Sequence, residues 1–300
     1  IIGETTVILR GIPGCKIHRD NSFPCFIIDI FQGKELFMKD INKTLEKIRD
    51  LRPIDDVMFQ QLAESEKVCQ EILRVILEDD RLIVNEVIPQ ASIGNIFGRS
   101  VRLDALCTLG NGTLCNIEVQ KENTDDDLKR SRYNAASIVS HFSDKGSSFS
   151  QTPNVMVVYI SQYDVFARGR TIYHVDSVIR ETGTVIDDGL SRIFVNTQYC
   201  DTDKSDIGEL MSCFLQKEIT SPKFPELAER LSYFKNDQKG VHSMCKIIDD
   251  YAHELADERA AEVLVEIIEN IAETLGSIDK ACSLAKVTRR QYDDAKALSH

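Results

Sequence analysis

The chain has no C-x-x-C pair, no histidine–cysteine cluster at zinc spacing and no G-x-S-x-G elbow. The first two absences argue against a zinc site or a dithiol redox centre, and the third against serine hydrolysis. Nine cysteines are scattered over 300 residues, which reads as reduced, packed thiols in an intracellular, cytoplasmic protein. No apolar run approaches the length of a bilayer span, so no membrane contact is expected. The opening IIGETTVILRGIPGCK lacks the basic leader and apolar core of a signal peptide. GIPGCK is no phosphate loop either, because Ile17 follows the lysine where Ser or Thr is required. The six histidines fall at no spacing that suits a metal or a base.

Positive charge is also short. Lysine and arginine number 36 against 48 acids, a net charge of −12. Phosphate contacts need cations, so a nucleic-acid partner must meet a local basic face. The candidates are Arg99, Arg102, Lys121, Lys129, Arg130, Arg132, Arg168 and Arg170, since much of the acidic excess lies in Asp125 to Asp127 and in the C-terminal third.

What is present is 42% hydrophobic content, enough for one large core or two smaller ones, and one conspicuous hairpin. VRLDALCTL (Val101 to Leu109) and TLCNIEVQ (Thr113 to Gln120) are strand-like and flank Gly110, Asn111 and Gly112. A three-residue loop, with Gly112 as its left-handed residue, places Leu109 opposite Thr113 and Asp104 opposite Glu118. Gln120 then shares the face of Glu118, because side chains alternate along a strand. A two-residue turn would pair Asp104 with Val119 and put the carboxylates on opposite faces. Directly opposed like charges destabilise a sheet. On flanks as apolar as these, the acidic pair calls for a cation, and oxygen ligands favour Mg²⁺ or Mn²⁺. The bland alternative is a solvated strand face relieved by Arg102.

Residues 1–37 read as an extension, or as a stretch ahead of a natural start at Met38. One domain is expected over 38–204 and a helical C-terminal region over 205–300. Met38 to Arg49, Asp55 to Leu62 and Ser65 to Leu77 are helical, the last carrying Glu71 beside its apolar face. LIVNEVI (Leu82 to Ile88) is a strand expected to end near Pro89. After the hairpin, the acids Asp125 to Asp127 open a helix that reaches about Phe142. VMVVYI (Val155 to Ile160) is a strand buried on both faces. Shorter strands are expected at Thr171 to Asp176 and Arg192 to Asn196. The segment Ile247 to Leu275 carries one apolar stripe, for core packing by default or else for a homodimer seam. Ser277 to Leu298 reads as two short helices around Val287-Thr288, too acidic to read DNA.

This order of elements, with Asp104 on the second strand and Glu-x-Gln on the third, resembles the PD-(D/E)XK nuclease superfamily. More closely, it resembles the PD-(D/E)XK nuclease family transposases, or recombination-promoting nucleases. LRPIDDVMFQ, RSVRLDA, NIEVQK, KRSRYNA, VVYIS and RTIYHVD carry the likeness from about Leu51 to about Asn196. The resemblance implies an α/β restriction-endonuclease-like core, a mixed sheet flanked by helices, followed by α-helices. It implies a Mg²⁺-dependent DNA endonuclease tied to recombination or mobile elements, with a catalytically lapsed DNA- or protein-binding module as the alternative. Asp104, Glu118 and Gln120 would be catalytic, and Asp104, Glu118 and the Val119 carbonyl would hold the metal. Glu71 would be an acidic supplement or else a surface glutamate. Arg130 and Tyr133 would face a substrate phosphate, with core packing the alternative for Tyr133. Gln120 stands where lysine is usual in the superfamily, and a neutral amide can hydrogen-bond but not supply charge.

Overall fold

The computed structural model describes residues 43–94, 100–124 and 126–298. The expected extension over 1–37, the helix start at Met38, Arg99 and Asp125 lie outside them. Residues 43–50 are helical. Two helices follow, α1 (Asp56–Leu62) and α2 (Glu66–Ile76). In α2, Val68, Cys69, Ile72, Leu73 and Ile76 recur at helical spacing and are all buried, which is why this segment is a helix and where it points.

Three antiparallel strands come next, β1 (Val84–Ile93), β2 (Val101–Leu109) and β3 (Leu114–Gln120). Helix α3 (Asp127–His141) crosses over to β4 (Val155–Ser161), which runs parallel to β3. The sheet is completed by β8 (Leu190–Asn196), parallel to β4, and β5 (Ile172–Val175), giving the order β1-β2-β3-β4-β8-β5. A separate small hairpin, β6 (Ser177–Ile179) with β7 (Thr184–Ile186), has exposed or half-exposed residues throughout and was not expected from the sequence, where each strand is only three residues long. This is the expected α/β restriction-endonuclease-like arrangement, a mixed sheet flanked by helices.

The strand expected to stop near Pro89 instead runs through it, pairing Pro89 with Ala105. β1 is an edge strand, so a residue without an N–H costs the sheet no inner hydrogen bond. β4 lies inside the sheet between β3 and β8, and all but one of its residues are buried, as its unbroken apolar run requires.

Two core layers cover the sheet. One face carries Ala105, Cys107, Cys115, Ile117 and Val119 against α1 and α2. Helices α4 (Asp206–Phe214) and α5 (Pro225–Asn236) deliver Leu210, Phe214, Leu227 and Leu231 into that same layer. The chain from Thr44 onward is accordingly one compact unit. The other face carries Leu103, Leu106, Leu114 and Val157 against Ala135 and Ile138 of α3.

The long helix α6 (Gln238–Leu275) starts earlier than the stripe from Ile247 indicated. Its residues Ile247 and Ile248 pack on the main core, while Ala261, Val265 and Ile268 meet α7 (Ile278–Ala285) and α8 (Arg289–Leu298). Ile267 and Leu275, expected on the buried stripe, are exposed, because α7 and α8 cover only part of the helix. Gly276, at φ +67°, ends α6 in the left-handed conformation that suits glycine. Among the described residues no helix is long and apolar enough to cross a membrane.

Candidate active site

The turn comes first, because it sets the register. Gly112 adopts φ +86° and donates its N–H to Leu109, while Leu109 donates to the Thr113 carbonyl. The Asn111 side chain accepts from the Thr113 N–H at 3.0 Å. The resulting pairs run from Thr108 with Leu114 to Ala105 with Ile117, as the three-residue loop requires. One step further the ladder is replaced: Asp104 Oδ2 accepts the Val119 N–H at 2.8 Å. Asp104 is thereby fixed beside Glu118, at the end of β3 where the parallel strands β3 and β4 finish. Open α/β sheets place their ligands at the carboxyl ends of parallel strands.

Glu118 is buried, and its Oε1 accepts from Asn116 Nδ2 at 2.8 Å. Burial first, and then the repulsion of Glu118 and Asp56, push the Asp104 carboxyl well above the usual range. Burial likewise pushes Glu118 up to about 7, against the opposing pull of Asn116 and Arg130. Burial also raises Asp56, against hydrogen bonds from Tyr251 and Gln60 and the charge of Arg102. Asp56 repels both Asp104 and Glu118, and Glu118 repels Asp104, so the three acids lie close to one another.

Arg130 is the cation whose charge acts on both Asp104 and Glu118. Its guanidinium donates to Gln120 Oε1 at 3.3 Å and pairs with Asp126 at 3.4 Å. The other end of the Gln120 amide donates to the Glu122 carbonyl at 2.9 Å. Both ends of Gln120 are therefore engaged. Tyr133, one turn along α3, is exposed on the cleft wall and is not part of the core. Lys121 reaches Asp55 at the start of α1, at 2.8 Å.

Glu71 lies elsewhere. Both of its oxygens accept main-chain N–H groups at the start of α5, from Glu226 at 3.2 Å and Leu227 at 2.9 Å. A carboxylate there satisfies unpaired amides and complements the helix dipole. The sequence pattern placed Glu71 on the right helix but could not show which neighbour its side chain would meet.

Asp56 was missed in the sequence. It sits in the first turn of α1, where Gln60 donates to it at 3.2 Å and Tyr251 of α6 at 3.3 Å. A signal was present: Gln60 and Gln61 are buried polar residues on a short helix otherwise packed with Val57, Met58, Phe59 and Leu62. Buried amides need partners, and partners cluster at sites. Asn116, two residues before Glu118, was also passed over. It is fully buried, and its Oδ1 has no partner among the described residues.

These groups open into a cleft of about 2200 Å³. Nine lysines and arginines and eight acids line it, a near balance inside a chain of net charge −12. Arg102, Lys121, Lys129, Arg130 and Arg132 are among the nine, whereas Arg168 and Arg170 are not. A family model of the PD-(D/E)XK nuclease family transposases matches residues 53–210, more than half of the chain. The chain belongs to this family. No curated protein and no solved structure matches it.

The residues present fit a hard divalent cation of the kind this nuclease superfamily uses. The donors are oxygens, the two central carboxyls are raised by burial and mutual repulsion, and an unpartnered buried oxygen lies two residues away. Among the described residues no three acidic, histidine or cysteine side chains converge tightly enough to hold an ion alone. Main-chain, water or phosphate oxygens would complete the shell, as is usual for Mg²⁺.

Proposed function

We propose that this transposase-family nuclease is a Mg²⁺- or Mn²⁺-dependent endonuclease that hydrolyses DNA phosphodiesters in the cytoplasm, in recombination or the movement of a mobile element. One observation carries the reading: Asp104 and Glu118 are held side by side at the strand ends, with Arg130 as the facing cation. The two carboxylates would hold the metal, with the Val119 carbonyl contributing and Asp56 adding its negative charge. A bound divalent ion supplies phosphate polarisation and a water of lowered pKa.

The chain's own groups account for the rest. The Val119 N–H fixes one oxygen of Asp104, and Asn116 fixes one of Glu118, so both carboxylates are preoriented. Arg130 offers N–H donors to a phosphate oxygen, a geometry suited to guanidinium. Gln120, occupied at both ends, holds Arg130 in place and so takes part through that cation. Tyr133 lines the path a phosphate would take. Arg102, Lys121, Lys129 and Arg132 give the cleft the local charge that the whole chain lacks.

The test is nicking of supercoiled plasmid by the full chain, with Mg²⁺ or with EDTA. Wild type should cleave only with metal, and Asp104→Ala and Glu118→Ala should not cleave. Cleavage that survives both substitutions overturns the assignment. Metal binding and DNA binding without cleavage in wild type would favour the lapsed-nuclease alternative.

A further inference from the structure

β1 is regular on either side of Gln90, where Pro89 pairs with Ala105 and Ala91 with Leu103. Gln90 itself has φ +49°, a conformation that L side chains other than Asn and Asp rarely adopt. Asp104 is the residue opposite this interruption. The two core layers change over here: Ala105 belongs to one and Leu103 to the other. A strained non-glycine residue beside a candidate site calls for a reason, and the side chain of Gln90 gives one.

Gln90 Nε2 donates to Gln60 Oε1, and Gln90 Oε1 accepts from Arg102 Nη2. Gln60 Nε2 in turn donates to Asp56 Oδ1 at 3.2 Å. Arg102, Gln90, Gln60 and Asp56 thus form a chain in which every hydrogen bond points the same way, from guanidinium to carboxylate. Such a chain polarises along its length and fixes the last acceptor. It also joins three elements: Arg102 on β2, Gln90 on β1 and Gln60 with Asp56 on α1.

We infer that Gln90 and Gln60 are positioning residues, which relay Arg102 to Asp56 and aim the Asp56 carboxylate at the Asp104–Glu118 pair. The left-handed backbone at Gln90 is retained because it turns that amide toward α1. The inference rests on the metal-site reading given above, and its test separates the two.

The experiment is calorimetric titration of the full chain with Mn²⁺, together with thermal unfolding in EDTA. Gln90→Gly removes the amide and also relieves the positive φ. It should therefore lower Mn²⁺ affinity roughly 10-fold, the scale of outer-shell losses at metal sites, while the metal-free melting temperature stays level or rises. A merely structural glutamine would not divide the two readouts in this way. In an Asp56→Asn background, Gln90→Gly should cost no further affinity, because the relay acts through Asp56. Unchanged affinity in Gln90→Gly, or losses that simply add to those of Asp56→Asn, overturns the relay while the metal site stands. Absence of Mn²⁺ binding in wild type overturns both.

Discussion

Replacing Glu118 by glutamine should stabilise the metal-free protein, and the gain should depend on pH. Glu118 is buried, and its carboxyl is raised from 4.5 to about 7. Below pH 4.5 the folded and unfolded chains both carry the proton, and ionisation costs nothing. Between 4.5 and 7 the folded chain holds a proton that the unfolded chain has released, so stability falls as pH rises. Above 7 the full cost is present, about 3 kcal/mol at 1.36 kcal/mol per pH unit. Glutamine keeps the side-chain shape and the acceptor for Asn116 but carries no charge to bury. Glu118→Gln should therefore melt about 6–12 °C above wild type at pH 8 in EDTA, and level with it at pH 4.5. Excess Mn²⁺ should close the gap, because it stabilises only the chain that can bind it. Equal melting temperatures at pH 8, or a gain that does not vary with pH, would refute the burial argument.

Other consequences are as direct. Glu71→Ala should lower stability by about 1–2 kcal/mol in urea denaturation, through loss of the cap on α5, and leave Mn²⁺ affinity unchanged; a loss of Mn²⁺ binding would return Glu71 to the site. Arg130→Ala should weaken DNA binding in fluorescence anisotropy and reduce the salt slope by about one phosphate contact, whereas an unchanged slope would remove Arg130 from phosphate binding. Gly112→Ala forces a methyl group into φ +86° and should cost about 1–2 kcal/mol in the same denaturation assay; no loss would mean that the turn tolerates another conformation.

The hairpin was legible in the sequence because a turn of known length converts spacing into register. Gly110, Asn111 and Gly112 suffice to bring Asp104 beside Glu118, and the observed pairs follow that count. The strand Val155–Ser161 and helix α3 were equally plain, since long apolar or amphipathic runs report their own burial. The strand through Pro89 was not, because only the sheet order reveals that β1 is an edge. Contacts between elements distant in the chain were hidden altogether. Glu71 meets the start of α5 and Asp56 meets Tyr251 of α6, and no local period encodes either encounter. Asp56 stood in the very stretch that carried the family likeness, yet as one acid of an Asp55-Asp56 pair it was marked only indirectly, by the two glutamines one turn on in an otherwise apolar helix. Asp55 pairs with Arg52 and Lys121, whereas Asp56 lies close enough to Asp104 to repel its charge.

The central claim is that Asp104 and Glu118 hold a divalent metal for phosphodiester cleavage. Anomalous diffraction from crystals soaked in Mn²⁺ tests it most directly. The account predicts one strong peak within ligand distance of both carboxylates, absent in Glu118→Ala. A peak held by other residues, or none where the protein cleaves DNA in Mn²⁺, would contradict it.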